Sequence, residues 1–120
     1  MHILNLIVVD DDVNIRRGVA SLLRSHGHNV NVFGTAEDCL ARDVEADCAI
    51  LDIALPGISG LDLNERWKGL GRCVPVVFIT AHDEVSVLSA VQRTGQPILR
   101  KPLDEDVLLN AIARAIGDRI

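Results

Sequence analysis

The sequence predicts an α/β fold, a single domain built on a five-stranded parallel sheet with helices on both faces. Three observations predict it. Short β-branched runs alternate five times with stretches whose apolar residues recur at helical spacing. Strict strand–helix alternation calls for right-handed crossovers, which bury a parallel sheet between helical layers. The length, 120 residues, suits one core, with an expected radius of gyration of about 13–14 Å.

The elements follow in order. Leu4–Val9 is an apolar run bounded by acids, the first strand. From Asp12, the residues Ile15, Val19, Leu22 and Leu23 form a helical stripe that Gly27 closes. Val30–Phe33 alternates weakly, as a more exposed strand does. Thr35 is placed to N-cap a helix carrying Ala36, Cys39, Leu40 and Val44 inward. Asp47–Asp52 is nearly continuous in apolar residues, which predicts cover on both faces. Pro56, Gly57 and Gly60 mark a loop, and Leu61, Leu63, Trp67 and Leu70 predict the helix after it. Pro75–Thr80 is a fourth, buried strand. A helix opening at His82 or Asp83 carries Val87, Leu88 and Val91 and stops near Gly95. Pro97–Arg100 is a short fifth strand. The last helix runs from about Asp104 to Gly117 and turns Val107, Leu108, Ala111, Ile112, Ala115 and Ile116 to one face.

Composition narrows the function. A hydrophobic fraction of 48% and a charged fraction of 24% describe a globular chain. A net charge of −5 leaves no overall basic footprint, so neither nucleic acid nor an anionic membrane is an expected direct partner. No apolar run reaches the roughly 18 residues of a membrane span, and the first strand ends in three aspartates where a secretory signal would have its cleavage site. The three cysteines, Cys39, Cys48 and Cys73, lack metal-ligand spacing and read as free thiols of a cytoplasmic protein. His26 and His28 have no third ligand in view and read as cap or surface residues.

In such sheets the site lies beyond the carboxyl ends of the strands. Those ends deliver Asp10–Asp12, Asp52, Thr80–His82 and Lys101. Each has a plain local explanation, such as N-capping by Asp12. Together they crowd three carboxylates, which repel one another unless a cation shares the site. Oxygen-only ligands suit Mg²⁺ or Mn²⁺. A divalent ion, a hydroxyl and an ammonium are the equipment of phosphoryl transfer.

The pieces Val8-Val-Asp-Asp-Asp12, Leu51-Asp-Ile-Ala-Leu-Pro-Gly-Ile-Ser-Gly60, Phe78-Ile-Thr-Ala-His82 and Arg100-Lys-Pro-Leu103 resemble the receiver domain of two-component response regulators, the CheY-like group. The resemblance covers essentially all of residues 1–120 and implies the flavodoxin-like strand order 2-1-3-4-5. It implies that Asp52 is the phosphoacceptor, taking its phosphoryl group from a histidine kinase, a phosphotransfer protein or a small acyl phosphate. Asp11 and Asp52 would bind Mg²⁺ directly, Asp10 through water, and the Ala54 carbonyl would complete the protein ligands. Thr80 and the Ala81 N–H would hydrogen-bond the phosphoryl group, Lys101 would pair with it, and Lys101–Pro102 is a candidate cis peptide.

The sequence departs from the family pattern at the switch. Ile98 stands where an aromatic is usual, Gly95–Ile98 is one residue short, and Leu55 and Leu103 replace a common Met and Phe. Movement of Thr80 and of residues 81–86 is therefore the expected output, with Ala54 and His82 as candidate rate-setting neighbours. The resemblance implies a signalling switch that catalyses only its own phosphorylation and dephosphorylation, read by either a downstream domain or a second receiver, with a homodimer surface on the fourth helix, fifth strand and fifth helix. Arg93, Arg100 and Arg114 with Asp83, Glu84, Asp104 and Asp106 would supply cross-pairs there. Two readings compete. One is a haloacid-dehalogenase-like phosphatase using Asp10 as nucleophile; the other is a degenerate receiver serving only as an interaction module.

Overall fold

A computed structural model gives the fold for residues 3–81 and 85–117, with the side chains of 85–88 left aside. The strands are β1 (Asn5–Val9), β2 (Asn29–Phe33), β3 (Cys48–Asp52), β4 (Val76–Thr80) and β5 (Ile98–Arg100). The helices are α1 (Val13–Ser25), α2 (Ala36–Arg42), α3 (Gly60–Gly69), α4 (Val85–Gln92) and α5 (Glu105–Ile116). All strand pairs are parallel and the order is β2-β1-β3-β4-β5. This is the expected topology, and the radius of gyration is 13.0 Å.

Two cores flank the sheet because successive strand side chains point to opposite faces. Ile7, Val9, Ala49, Leu51, Val76 and Phe78 meet Cys39 of α2, Leu63 and Trp67 of α3, and Val91 of α4. Leu6, Val8, Cys48, Ile50, Val77 and Ile79 meet Val19 and Leu23 of α1 and Leu108, Ala111 and Ile112 of α5. Every residue of β3 and β4 is buried, which explains their unbroken apolar runs. Each such aliphatic side chain contributes about 1.5–3 kcal/mol, enough together to hold charged groups at the strand ends.

The N-caps Asp12 and Thr35 fall where the sequence places them. Asp12 accepts the N–H groups of Asn14 and Ile15, and Thr35 that of Asp38. Ser59 and Asp104 cap α3 and α5 in the same way. His26 is the C-cap of α1, with Nε2 3.0 Å from Glu105 Oε1, while His28 Nδ1 accepts the Leu4 N–H.

Three assignments to helix faces are corrected. Val107 lies in the first turn of α5 and is 49% exposed. Leu70 is 68% exposed, since α3 stops at Gly69 and Leu70 serves as its C-cap. Val44 is not helical: α2 ends at Arg42, Asp43 turns left-handed at φ 45°, and Val44 reaches the core from the following segment. The expected helix start at His82 or Asp83 lies outside the described residues. Among the described residues no helix is long and apolar enough to cross a membrane.

Candidate functional site

Strand parity selects the residues that meet. Asp52 follows Cys48 and Ile50 on the face beneath α1 and α5, and Asp10 extends Leu6 and Val8 on that same face. Lys101, two residues beyond Leu99, also follows it. The three side chains converge at the carboxyl edge of adjacent strands. Lys101 Nζ stands 2.8 Å from Asp10 Oδ2 and 3.2 Å from Asp52 Oδ2. Asp10 is 0% exposed and Asp52 4%.

The backbone around these groups is tied down locally. Asp10 Oδ1 accepts the Asp12 N–H at 2.9 Å, closing a turn that throws Asp11 outward. Asp52 Oδ1 accepts the Ala54 N–H at 3.1 Å. Asp10, Asp11 and Asp52 each offer a carboxylate oxygen within 4.8 Å of the others. Asp11 is exposed and the other two are buried, so the cluster has one open side.

Electrostatics match the crowding. Burial pushes the Asp52 carboxyl above its usual range and the Asp10 charge pushes it further, against the pull of Lys101 and the Ala54 N–H. Burial pulls Lys101 down, but its contacts with Asp10 and Asp52 outweigh that and hold the ammonium above its ordinary value. Asp10 Oδ2, though ion-paired with Lys101, accepts no well-directed hydrogen bond in its buried position. A buried oxygen in that condition, beside two more hard oxygen donors, fits a divalent cation of the Mg²⁺ type.

The other expected residues are placed as follows. Thr80 is buried at the end of β4, one residue past the Asp52–Ile79 pair and on the opposite parity, and its backbone oxygen accepts the Lys101 N–H at 2.9 Å. Ala81 and Ala54 are exposed at the rim. Ile98 is half-buried and packs against the α3 side of the core. Lys101–Pro102 is cis, as expected. His82 lies outside the described residues, and His26 and His28 take no part in the acidic cluster.

Gly60 is a positioning residue that the sequence showed only as a loop marker. A Cβ there would overlap the backbone carbonyl oxygen of Asp52 and stand 3.3 Å from the Ile53 Cα. The start of α3 therefore presses directly on the segment that aims Asp52, and the Gly60 N–H donates to the Ile53 carbonyl at 3.2 Å. Its signal was an isolated glycine at a helix start, which local pattern alone cannot separate from a turn residue.

Comparison with known proteins agrees with the fold. The profile of the response regulator receiver domain matches residues 6–113. Nodulation protein W of Bradyrhizobium diazoefficiens is 34% identical over 113 residues, covering 92% of this chain and 50% of that protein. Transcriptional regulatory protein FixJ of Azorhizobium caulinodans is 32% identical over 113 residues, covering 92% and 54%. The solved structure of response regulator StyR superposes with a TM-score of 0.85 at 36% identity, covering 93% of this chain and 58% of that one. The fold is that of a CheY-like receiver domain. The chain belongs to the response regulator receiver domain family of two-component systems, whose standard function is phosphorylation on an aspartate. It spans about half the length of the curated relatives it matches.

Proposed function

We propose that Asp52 is the phosphoacceptor and that residues 1–120 act as one receiver unit. The observation that carries this reading is the ammonium of Lys101 between the carboxylates of Asp10 and Asp52, with Asp11 beside them. A carboxylate oxygen of Asp52 attacks phosphorus of a phosphohistidine or acyl phosphate. The bond to the leaving imidazole nitrogen or carboxylate oxygen breaks, and an aspartyl phosphate remains. Lys101 shifts from bridging two acids to pairing with a phosphoryl oxygen, and the Thr80 hydroxyl and Ala81 N–H donate to the others. Asp10, Asp11, Asp52 and the Ala54 carbonyl would hold Mg²⁺ or Mn²⁺, which neutralises charge on the transferring group. Asp10 is the poorer nucleophile, since it is fully buried and pinned by Lys101 and the Asp12 N–H.

The module is a switch with no turnover beyond its own phosphorylation and dephosphorylation. Its donor is a histidine kinase or phosphotransfer protein of the cytoplasm. Its output belongs to a domain outside this chain, consistent with relatives about twice as long. The signal travels through Thr80 and residues 81–86, with Ile98 a passive packing residue. The surface of α4, β5 and α5, with Arg93, Arg114, Asp104 and Asp106, is the homodimer face.

Labelling with acetyl phosphate and Mg²⁺ tests the nucleophile. Label is expected on the wild type and absent from Asp52→Asn. Label retained in Asp52→Asn and lost only in Asp10→Asn would establish the phosphatase chemistry instead. Absence of label under all conditions would leave a constitutive interaction module.

A further inference from the structure

We propose that Arg16 is a positioning residue for the acidic pocket, holding the Asp10–Asp12 turn through the carbonyl of Asp10 from a notch left open by Gly34. The inference rests on the reading that this pocket binds a divalent cation. In the ladder between β1 and β2 the last rung is the Asp10 N–H donating to the Phe33 carbonyl at 3.2 Å. The next acceptor, the Asp10 carbonyl, lies beyond the end of β2, where the chain turns away through Gly34 into α2. Arg16 Nη1 donates to that carbonyl at 2.7 Å and replaces the missing strand partner.

The geometry follows from the helix. Arg16 lies one turn into α1, with its own N–H donating to the Asp12 carbonyl at 3.0 Å. Helical side chains lean toward the N-terminus, which carries the guanidinium back over the turn. Gly34 makes the room, because a Cβ there would stand 3.2 Å from Arg16 Nη1. Asp10 is thus held at four atoms: its N–H by Phe33, its carbonyl by Arg16, Oδ1 by the Asp12 N–H and Oδ2 by Lys101. Asp11 is exposed, its side chain has no hydrogen bond among the described residues, and it inherits its position from this turn. Groups that orient metal ligands without touching the ion typically matter 10–100-fold in affinity.

The test is Mg²⁺ affinity of the whole chain, measured by calorimetry with the ion alone. Arg16→Met and Gly34→Val are each expected to weaken binding roughly tenfold. Arg17→Met, which removes the same charge one residue away, is expected to stay within about twofold. Removing a cation near the pocket should by charge alone tighten Mg²⁺ binding, so a loss in Arg16→Met reports the lost hydrogen bond. If either variant fails to fold, the other decides. Wild-type affinity in the folded variants, with binding lost in Asp11→Asn, would overturn the role of Arg16, as would an equal loss in Arg17→Met. Wild-type affinity in Asp11→Asn would overturn the cation pocket itself, and the role of Arg16 with it.

Discussion

Lys101 holds its ammonium 2.8 Å from a carboxylate oxygen of Asp10, an acid with no exposed surface. The same nitrogen reaches Asp52, so one cation balances two buried charges. Removing it leaves both uncompensated. Lys101→Met should destabilise the protein by about 3 kcal/mol at pH 7. The double variant Lys101→Met/Asp52→Asn should recover part of that loss, since one repelling charge is gone. Urea unfolding of the four species in this cycle measures both effects; an additive double variant would deny the coupling.

The raised Asp52 carboxyl gives stability a defined pH dependence. Folding raises this pKa, so the folded state holds the proton more tightly than the unfolded chain. The resulting stabilisation is complete below the ordinary carboxylate value of about 4 and is lost as pH rises through the folded value. At pH 7 the ionised carboxylate is therefore a liability, and Asp52→Asn should melt higher than the wild type. The gap should close as the pH falls toward about 4. Thermal melts from acid to neutral pH check this, and a gap that widens on acidification would contradict the sign.

Gly60 should tolerate no side chain. Gly60→Ala forces the start of α3 away from the Asp52 carbonyl, at a cost of roughly 2 kcal/mol. It should also weaken Mg²⁺ binding, because the displaced segment carries Asp52. Gly69, whose Cβ would meet nothing within 4 Å, provides the contrast. Gly69→Ala should be close to neutral in both measurements.

The three cysteines should differ sharply in reactivity. Burial pushes the Cys39 thiol up to about 12, against the pull of Arg72. Cys48 is buried in β3, while Cys73 is exposed. At pH 8 an aromatic disulfide reagent should modify Cys73 rapidly in the native protein and the other two only on unfolding. Rapid native modification of Cys39 would contradict its packing on the inner face of α2 against the sheet.

These outcomes bear on how far the sequence could be read. The strand ends were legible because β-branched runs stop abruptly at Asp10, Asp52, Thr80 and Lys101, and a parallel sheet brings such ends to one edge. Parity then put Asp10, Asp52 and Lys101 on one face. Gly60 and Arg16 were not legible, since each acts through a partner distant in structure logic: a backbone carbonyl across a loop, and a notch on another strand's end. Val107 and Leu70 fit the helical stripes by spacing, yet both sit at helix ends and are exposed. Periodicity marks a face without marking where its cover ends.

On the proposed reading, positions 10, 11, 52, 80 and 101 form one pocket that holds magnesium beside a phosphoryl group. Fluorine NMR of beryllofluoride bound to the protein tests it most directly. Bound resonances are expected that require Mg²⁺, vanish in Asp52→Asn and Asp11→Asn, and shift when Lys101 is replaced. Bound resonances that persist without Mg²⁺, or that survive Asp52→Asn and disappear in Asp10→Asn, would contradict it.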